Sequence, residues 1–324
     1  MRFVQAAGIA SALLKTRVFR RRVPLFAAWN ITFRCNLHCQ YCGARNMSVP
    51  ELETQDVLAG LDQLWALGVR WITFGGGEPL IRDDIGEVLS YAKNKGFNVY
   101  LSTNGRLVSQ KAKDLKGVDH VNLSLDGNRE VHDKIRGQGA FDRAIASIEV
   151  FQRMHIPVSF LCVLSKYNLN QIHEVVDLAE KHDVLVMFQP ATLSLNISLG
   201  GNPICPPAED YRQVIASLIN LKKKGAPIRN SITGLKHLSR WPDPTHIWCP
   251  AGSLMLVMEP DGSMNACRPK QFGNHDNTVS NIKKQFTDLK IPRNCNQCWC
   301  APIVELSLAL SLRPEALWNA FCNF

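Results

Sequence analysis

The sequence predicts an α/β fold in which six parallel strands form an incomplete barrel, followed by a small cysteine-rich region. Short apolar runs alternate with longer amphipathic runs from about residue 24 to residue 190, as in repeated strand–helix units around a parallel sheet. Hydrophobic residues make up 46% of the 324 residues, which is enough for a substantial core. After residue 190 the alternation stops, and cysteines become frequent near the C-terminus.

The six predicted strands are the apolar runs richest in Val, Ile, Leu or Phe, as expected of strands that are buried on both faces. They span residues 25–32, 70–74, 98–102, 120–125, 157–164 and 184–189.

Helices are predicted between the strands at residues 54–66, 84–95, 141–154 and 168–181. In the first of them we expect Thr54 to cap the N-terminus and Gly68 to end the helix. Its apolar stripe consists of Val57, Leu58, Leu61, Leu64 and Trp65.

The pattern changes after the sixth strand. A loop rich in Gly and Pro at residues 196–207 precedes a helix that ends near Lys224. A hairpin is predicted from residues 254–259 and 264–267, and an apolar C-terminal helix follows the segment CNQCWC. We therefore divide the chain into a basic amphipathic segment (1–24), the barrel (25–224) and a cysteine-rich region (225–324).

Charge and cysteine content restrict the cellular context. The formal net charge is +9, and no Asp or Glu precedes Glu51, so the N-terminus is basic and could favour nucleic acid, anionic lipid or an anionic small substrate. The apolar run at 3–14 is too short to span a bilayer, and the basic cluster follows it, unlike a secretory signal. Eleven cysteines, mostly in two tight groups, indicate metal binding in a reducing compartment and predict a cytoplasmic protein.

The first cysteine group, CNLHCQYC, places Cys35, Cys39 and Cys42 directly after the first predicted strand. A structural zinc site normally needs four protein ligands, and no fourth Cys or His follows closely except His38, which lies between two of the cysteines. An iron–sulfur cluster held by three cysteines leaves one iron open to a chelating cosubstrate.

With Tyr41 before its last cysteine, this segment resembles the signature of the radical S-adenosylmethionine (radical SAM) superfamily. Over about residues 25–190 the resemblance implies a partial (β/α)6 TIM-like barrel of the radical SAM type. It implies that Cys35, Cys39 and Cys42 hold a [4Fe-4S] cluster that reductively cleaves S-adenosylmethionine to a 5′-deoxyadenosyl radical. A reductant such as flavodoxin or ferredoxin would supply the electron.

The motif GGGEP at the end of the second strand is similar to the family motif that contacts the methionyl amino group. The resemblance assigns this contact to Glu78, while Gly76 and Gly77 permit close backbone approach.

Two further motifs end the third and fourth strands, at the edge where parallel-barrel enzymes assemble their sites. By resemblance, Ser102 and Asn104 of STNG contact the ribose and carboxylate of the cosubstrate. Ser124 of SLDG and Arg136 of HDKIRG are expected to hold the carboxylate, Arg136 through charge-assisted hydrogen bonds. The alternative for Arg136 is a surface salt bridge. The sequence identifies no catalytic base.

The second cysteine group consists of Cys249, Cys267, Cys295, Cys298 and Cys300, and it resembles the auxiliary-cluster extension called SPASM, or its shorter relative called twitch. A full SPASM extension carries more cysteines after the CxxC than this sequence has, and the resemblance therefore argues against two auxiliary clusters. One [4Fe-4S] cluster held by Cys249, Cys267 and two of the other three fits the count, and a four-cysteine zinc site is the alternative.

These motifs predict an enzyme that abstracts hydrogen from a substrate carbon. The apolar and basic N-terminal segment, with an apolar stretch at residues 303–312, favours a lipid or another strongly apolar substrate and peripheral association with the inner face of the membrane. Both segments could instead pack against the barrel.

A radical SAM maturase of a peptide or RNA is the alternative within the same superfamily. The sequence contains no RNA-recognition signature, and only about 25 residues precede the first strand, so we expect neither a nucleic-acid partner nor a fused peptide-binding domain. A noncatalytic iron–sulfur or zinc protein is the alternative from another class, and the presence of GGGEP, STNG and SLDG together disfavours it.

Overall fold

The computed structural model describes residues 12, 15–16, 18–19, 21–44, 47–191, 202–267, 279–291 and 295–323, of which 280 and 320–323 are described by their backbone alone. Its centre is an open eight-stranded sheet with the order β6-β5-β4-β3-β2-β1-β7-β8. The strands are β1 (Phe26–Thr32), β2 (Trp71–Gly76), β3 (Asn98–Thr103), β4 (His120–Ser124), β5 (Val158–Leu164), β6 (Leu185–Pro190), β7 (Met255–Met258) and β8 (Met264–Asn265). The partial-barrel prediction is confirmed, since all six predicted strands are present.

Neighbouring strands are parallel from β6 through β1 to β7, and only β7 and β8 pair antiparallel. The first six strands lie in chain order, and their C-terminal ends therefore meet at one edge of the sheet. This edge carries the motifs that the sequence identifies.

The helices between the strands return the chain to the opposite edge, and three more of the described helices follow β8. In chain order they are α1 (Thr54–Leu67), α2 (Ile85–Lys95), α3 (Arg129–Arg136), α4 (Ala140–Arg153), α5 (Ile172–Lys181), α6 (Ala208–Lys223), α7 (Ile232–Leu238), α8 (Ile282–Asp288), α9 (Ala301–Leu310) and α10 (Pro314–Asn323). Short 3-10 helices span Pro79–Ile81, Ala112–Leu115, Leu169–Gln171 and Val279–Asn281.

The prediction that Thr54 caps α1 is wrong. Glu53 occupies the cap position without a capping side-chain bond, and the Thr54 hydroxyl donates instead to the carboxylate of Asp84 (2.7 Å). Because Thr54 lies inside the helix, its hydroxyl does not cap α1 and instead links α1 to Asp84 at the start of α2. Gly68 ends α1 as predicted, in the left-handed conformation that glycine adopts without strain (φ 116°).

The core lies between the strands and the helices that cover them. Side chains that alternate along each strand, such as Trp29, Phe74 and Phe160, point outward and are completely buried against the helices. The residues between them face the barrel interior, where several are only half-buried, such as Thr73 and Tyr100. The barrel interior is therefore lined by a second set of side chains that the outer core does not use.

The predicted hairpin is confirmed as β7 and β8, but its position could not be read from the sequence. Strand β7 pairs in parallel with β1, from Phe26 opposite Met255 to Trp29 opposite Met258. The hairpin of the cysteine-rich region therefore extends the barrel sheet itself.

The apolar stretch at residues 303–312 serves internal packing as far as Leu310, whereas Leu312 is 67% exposed. Helix α9 buries Val304, Leu308 and Leu310 within the core, which supports the packing alternative over a membrane contact. In the part of the chain that the structure describes, none of the helices has the length and apolarity needed to cross a membrane. The N-terminal residues on which the membrane prediction depends lie mostly outside the described residues: Phe3, Val4, Ala7, Ile9, Ala10, Leu13, Leu14, Arg17 and Arg20.

Candidate active site

The three cysteines of the first group lie on the loop that follows β1. Their thiols are close enough for their charges to interact, since Cys35 and Cys42 both add to the effect of burial that raises the pKa of Cys39 to about 11. Among the described residues no three Cys, His, Asp or Glu side chains surround a point where a single metal ion could bind. Each ligand of an iron–sulfur cubane binds a different iron, so cluster ligands are spaced more widely than the ligands of one ion.

The glycines of GGGEP hold the end of β2 against this cysteine loop. A Cβ atom on Gly77 would lie 2.1 Å from the carbonyl oxygen of Arg34, and one on Gly76 would lie 2.2 Å from the carbonyl oxygen of Thr32. The amide of Gly77 donates to Thr32 (2.7 Å) and that of Glu78 to Arg34 (2.9 Å). The close approach expected of these glycines is made to the cysteine-bearing backbone.

Glu78 is completely buried at the same edge. Its carboxylate accepts hydrogen bonds from the Thr103 hydroxyl (2.7 Å) and from the backbone amides of Asn104 (2.8 Å) and Leu80 (3.2 Å). Burial nevertheless raises the pKa of Glu78 to about 7, because these donors and the charge of Arg136 only partly offset desolvation. A carboxylate in this state is suited to a cationic ligand such as an ammonium group.

Asn104 joins the third strand to the cysteine loop. Its side-chain amide donates to Asn36 (2.8 Å) and lies 3.9 Å from the sulfur of Cys35. Ser102 and Ser124 lie half-buried on β3 and β4. Of the residues predicted to contact the ribose and the carboxylate of the cosubstrate, Asn104 lies against the cysteine loop, and the contacts themselves stay predictions.

Arg136 forms a buried ion pair with Asp126, so the surface salt-bridge alternative is wrong. The Nε–Oδ2 distance is 2.6 Å, and the two side chains are 7% and 0% exposed. Burial opposes the charge on Arg136, but Asp126, Tyr41 and Cys39 together raise its pKa well above the usual value. One guanidinium nitrogen lies 3.9 Å from the sulfur of Cys39.

Asp126 is the site residue that the sequence analysis missed. Besides Arg136, it accepts hydrogen bonds from the Tyr41 hydroxyl (3.1 Å) and the Val163 amide (2.9 Å). The signal was present, since Asp126 is the acidic residue of the motif SLDG at the end of β4. Its side chain holds Arg136 and Tyr41 beside the cysteine loop.

The five later cysteines also converge. Burial raises the pKa of Cys298, and the charges of Cys300, Cys267, Cys249 and Cys295 add to the effect in that order. Cys298 is therefore central to the group, and its carbonyl oxygen is 2.9 Å from Nε2 of His237. Cys295 and Cys300 are exposed, and the other three are half-buried.

Comparison with known proteins identifies relatives for both halves of the chain. Residues 29–179 match the model of the radical SAM superfamily. The Fe-coproporphyrin III synthase of Methanosarcina barkeri is 40% identical over 163 residues, which are 48% of this chain and 41% of that protein. A mycofactocin maturase of Mycolicibacterium smegmatis is 29% identical over 304 residues, covering 85% of this chain and 74% of that protein.

The chain spans less than half the length of the curated porphyrin- and heme-forming relatives that head these matches. Among solved structures, Streptococcus suis SuiB bound to the precursor peptide SuiA shares the fold, with a TM-score of 0.65 and 14% identity. The match covers 86% of this chain and 70% of SuiB.

Proposed function

Since this chain is a member of the radical SAM superfamily, with residues 29–179 as its radical SAM domain, we propose that it abstracts a hydrogen atom from a carbon of a peptide substrate. One observation carries the proposal. Cys35, Cys39 and Cys42 converge with Glu78, Asn104 and Arg136 at the carboxyl edge of the sheet.

The side chains at this edge fit the cofactors of the superfamily. When bound, a [4Fe-4S] cluster on Cys35, Cys39 and Cys42 supplies the electron that cleaves S-adenosylmethionine to methionine and a 5′-deoxyadenosyl radical. Buried Glu78 would accept hydrogen bonds from the methionyl ammonium group, which compensates the desolvation of its carboxylate.

Neighbouring residues orient the cosubstrate and the cluster. Asp126 holds the guanidinium of Arg136 toward Cys39, where its remaining N–H groups would donate to the thiolate and to the cosubstrate carboxylate. Ser102 and Ser124, at the ends of β3 and β4, would donate their hydroxyls to the ribose and the carboxylate.

We assign a single auxiliary [4Fe-4S] cluster to the region 225–324. Cys249, Cys267 and Cys298 are the half-buried ligands, and one of the exposed pair, Cys295 and Cys300, completes the set. A zinc ion on the same thiolates is the alternative, and metal analysis distinguishes the two.

The extent of the maturase match favours a peptide over a porphyrin. That match covers 85% of this chain, whereas the match to the porphyrin-forming relative covers 48%. No relative named above is described as acting on a lipid, and the lipid and membrane-surface role stays a prediction from the sequence. A flavodoxin- or ferredoxin-type reductant remains the expected electron donor.

Anaerobic reconstitution with iron and sulfide tests the proposal. With dithionite and S-adenosylmethionine, the wild-type protein should form 5′-deoxyadenosine, and a variant with Cys35, Cys39 and Cys42 all changed to Ala should form none. A mixed synthetic peptide library should raise the rate of 5′-deoxyadenosine formation above the uncoupled rate. No 5′-deoxyadenosine from the wild type would refute the activity, and stimulation by Fe-coproporphyrin III but not by peptides would refute the substrate class.

A further inference from the structure

The cysteine segment at residues 295–300 has no regular secondary structure of its own. It runs directly into helix α9, and Trp299, between two of its cysteines, is buried in the core. A metal ligand on such a segment has no helix or strand ladder to fix its direction, so packing and hydrogen bonds from other elements must do so. This requirement applies to Cys298, the central cysteine of the later group.

Two backbone carbonyls of the segment accept hydrogen bonds from distant parts of the chain. The carbonyl of Asn296 accepts from the amide of Thr245 (2.7 Å). The carbonyl of Cys298 lies 2.9 Å from Nε2 of His237. Because a carbonyl oxygen can only accept, Nε2 of His237 carries the hydrogen and donates it. A buried side chain thus binds the backbone of a cysteine that is expected to hold the metal.

His237 also contacts the residue that follows Cys298. Its ring centroid lies 5.5 Å from that of Trp299, with 36° between the ring planes. His237 and Trp299 are 9% and 7% exposed, so neither ring is free to turn into solvent. The imidazole therefore fixes both the carbonyl of Cys298 and the next side chain, and the peptide bond between them is held in one orientation.

The helix that carries this histidine, α7, is fixed in turn. Glu315 of α10 accepts hydrogen bonds from the amides of Ile232 (2.8 Å) and Thr233 (2.9 Å) in its first turn. Glu305 of α9 accepts from the amide of Ser231 (2.9 Å), directly before the helix. Both carboxylates come from helices that follow the cysteine segment, so α7 and the segment belong to one packed unit.

We propose that His237 is a positioning residue of the auxiliary metal site, which orients Cys298 through its backbone carbonyl. The inference rests on the proposed function, because it assumes that the later cysteines hold a cluster. Cys298 would then present its thiolate in a direction that the protein sets before the metal is bound. Removing a hydrogen bond that orients a metal ligand typically costs about 10–100-fold in metal affinity.

Metal release from the auxiliary site tests the proposal. The parent protein for this experiment has Cys35, Cys39 and Cys42 changed to Ala and is reconstituted with iron and sulfide, so that its iron reports on the later cysteines alone. Two substitutions of His237 separate the hydrogen bond from the ring contact. H237F keeps a flat ring against Trp299 but has no donor, whereas H237Q keeps an N–H donor but has no ring.

After reduction with dithionite, H237F should lose iron to bathophenanthroline disulfonate about 10-fold faster than the parent. H237Q should release iron at close to the parent rate, because its side-chain amide restores the donor. The electron paramagnetic resonance signal of the reduced protein should be shifted in H237F and unchanged in H237Q. H173F is the matched control, since it replaces an exposed histidine of α5, and it should match the parent in both measurements.

Two results would overturn the proposal. Release of iron from H237F at the parent rate would show that the hydrogen bond is unimportant. Release from H237Q as fast as from H237F would show that His237 acts by ring packing alone. If H237F does not fold, H237Q still decides, because rapid release despite a retained donor contradicts the proposed role.

The same measurements separate this inference from the proposed function. If the later cysteines bind zinc, the iron–sulfur assignment is refuted, and the same variants compared by zinc release still test His237. A parent protein that binds no metal would refute both. Absence of 5′-deoxyadenosine from the wild type, together with the expected difference between H237F and H237Q, would refute the proposed function alone.

Discussion

The Asp126→Asn substitution tests whether the buried ion pair beside the cysteine loop holds the site together. Asparagine can still accept the hydrogen bond from the Val163 amide. Its amide nitrogen, however, would face two donors, Nε of Arg136 and the Tyr41 hydroxyl. The guanidinium would then remain buried without its carboxylate.

The expected cost follows from this burial. Removing one partner of a buried ion pair destabilises a protein by about 3–5 kcal/mol, because the other charge is left uncompensated. For a chain of this size, about 2 °C per kcal/mol lowers the melting temperature by roughly 6–10 °C. Asp142→Asn is the matched control, since Asp142 pairs with Arg129 at the surface, where both side chains are more than half exposed. It should cost less than about 1 kcal/mol.

Circular dichroism melting of the metal-free proteins measures both effects. A double-mutant cycle with Arg136→Met separates the pair from other changes, and we expect the double variant to be more stable than the sum of the single losses predicts. If Asp126→Asn melts within 2 °C of the Asp142→Asn control, the pair is solvated and the reasoning fails.

Three further substitutions test other parts of the site. Changing Cys35, Cys39 or Cys42 singly to Ala should lower the iron content from about eight to about four atoms per chain, because one of two cysteine-held four-iron clusters is lost. Formation of 5′-deoxyadenosine should stop in the same variants. Stoichiometric zinc beside four irons in the wild type would instead assign the later cysteines to zinc. The pKa of Glu78 is about 7 in the folded protein and 4.5 in the unfolded chain. Between these two pH values the folded protein holds a proton that the unfolded chain releases, so the free energy of unfolding should fall by about 3 kcal/mol as pH rises from 4.5 to 7. The difference between wild type and Glu78→Gln in urea titrations isolates this contribution, and parallel pH profiles would contradict it. Gly77→Ala should displace the cysteine loop and reduce the iron content of the reconstituted protein. The control Gly75→Ala, whose Cβ would meet nothing closer than 3.7 Å, should fold and bind the cluster normally. Equal iron contents in the two variants would show that the close approach of Gly77 is unimportant.

The parts of the fold that depend on local sequence were predictable. Runs rich in Val, Ile, Leu or Phe identified all six barrel strands, because each strand buries at least every second side chain against the covering helices. Gly68 identified the end of α1, since few other residues adopt its backbone conformation. The spacing of Cys35, Cys39 and Cys42 predicts a cluster-binding loop, because all three cysteines lie within one short segment.

Contacts between distant segments were decided by the tertiary structure. Asp126 and Arg136 were both visible in motifs, but only the fold shows that they form a buried pair beside Cys39. Likewise, the sequence predicted the hairpin at 254–267 but not its pairing with β1, because strand pairing across more than 200 residues leaves no local pattern.

The sequence by itself determined the fold class, the superfamily and the two cysteine groups, because short-range spacing and periodicity encode them. The tertiary structure alone decided which charges are buried. Arg229 lies in an unremarkable stretch of sequence, yet the barrel places its guanidinium against His120, Asn122 and Ser159, where the residue is only 8% exposed. Burial depends on what surrounds a side chain in space, and the residues around Arg229 come from strands 70 to 109 positions away.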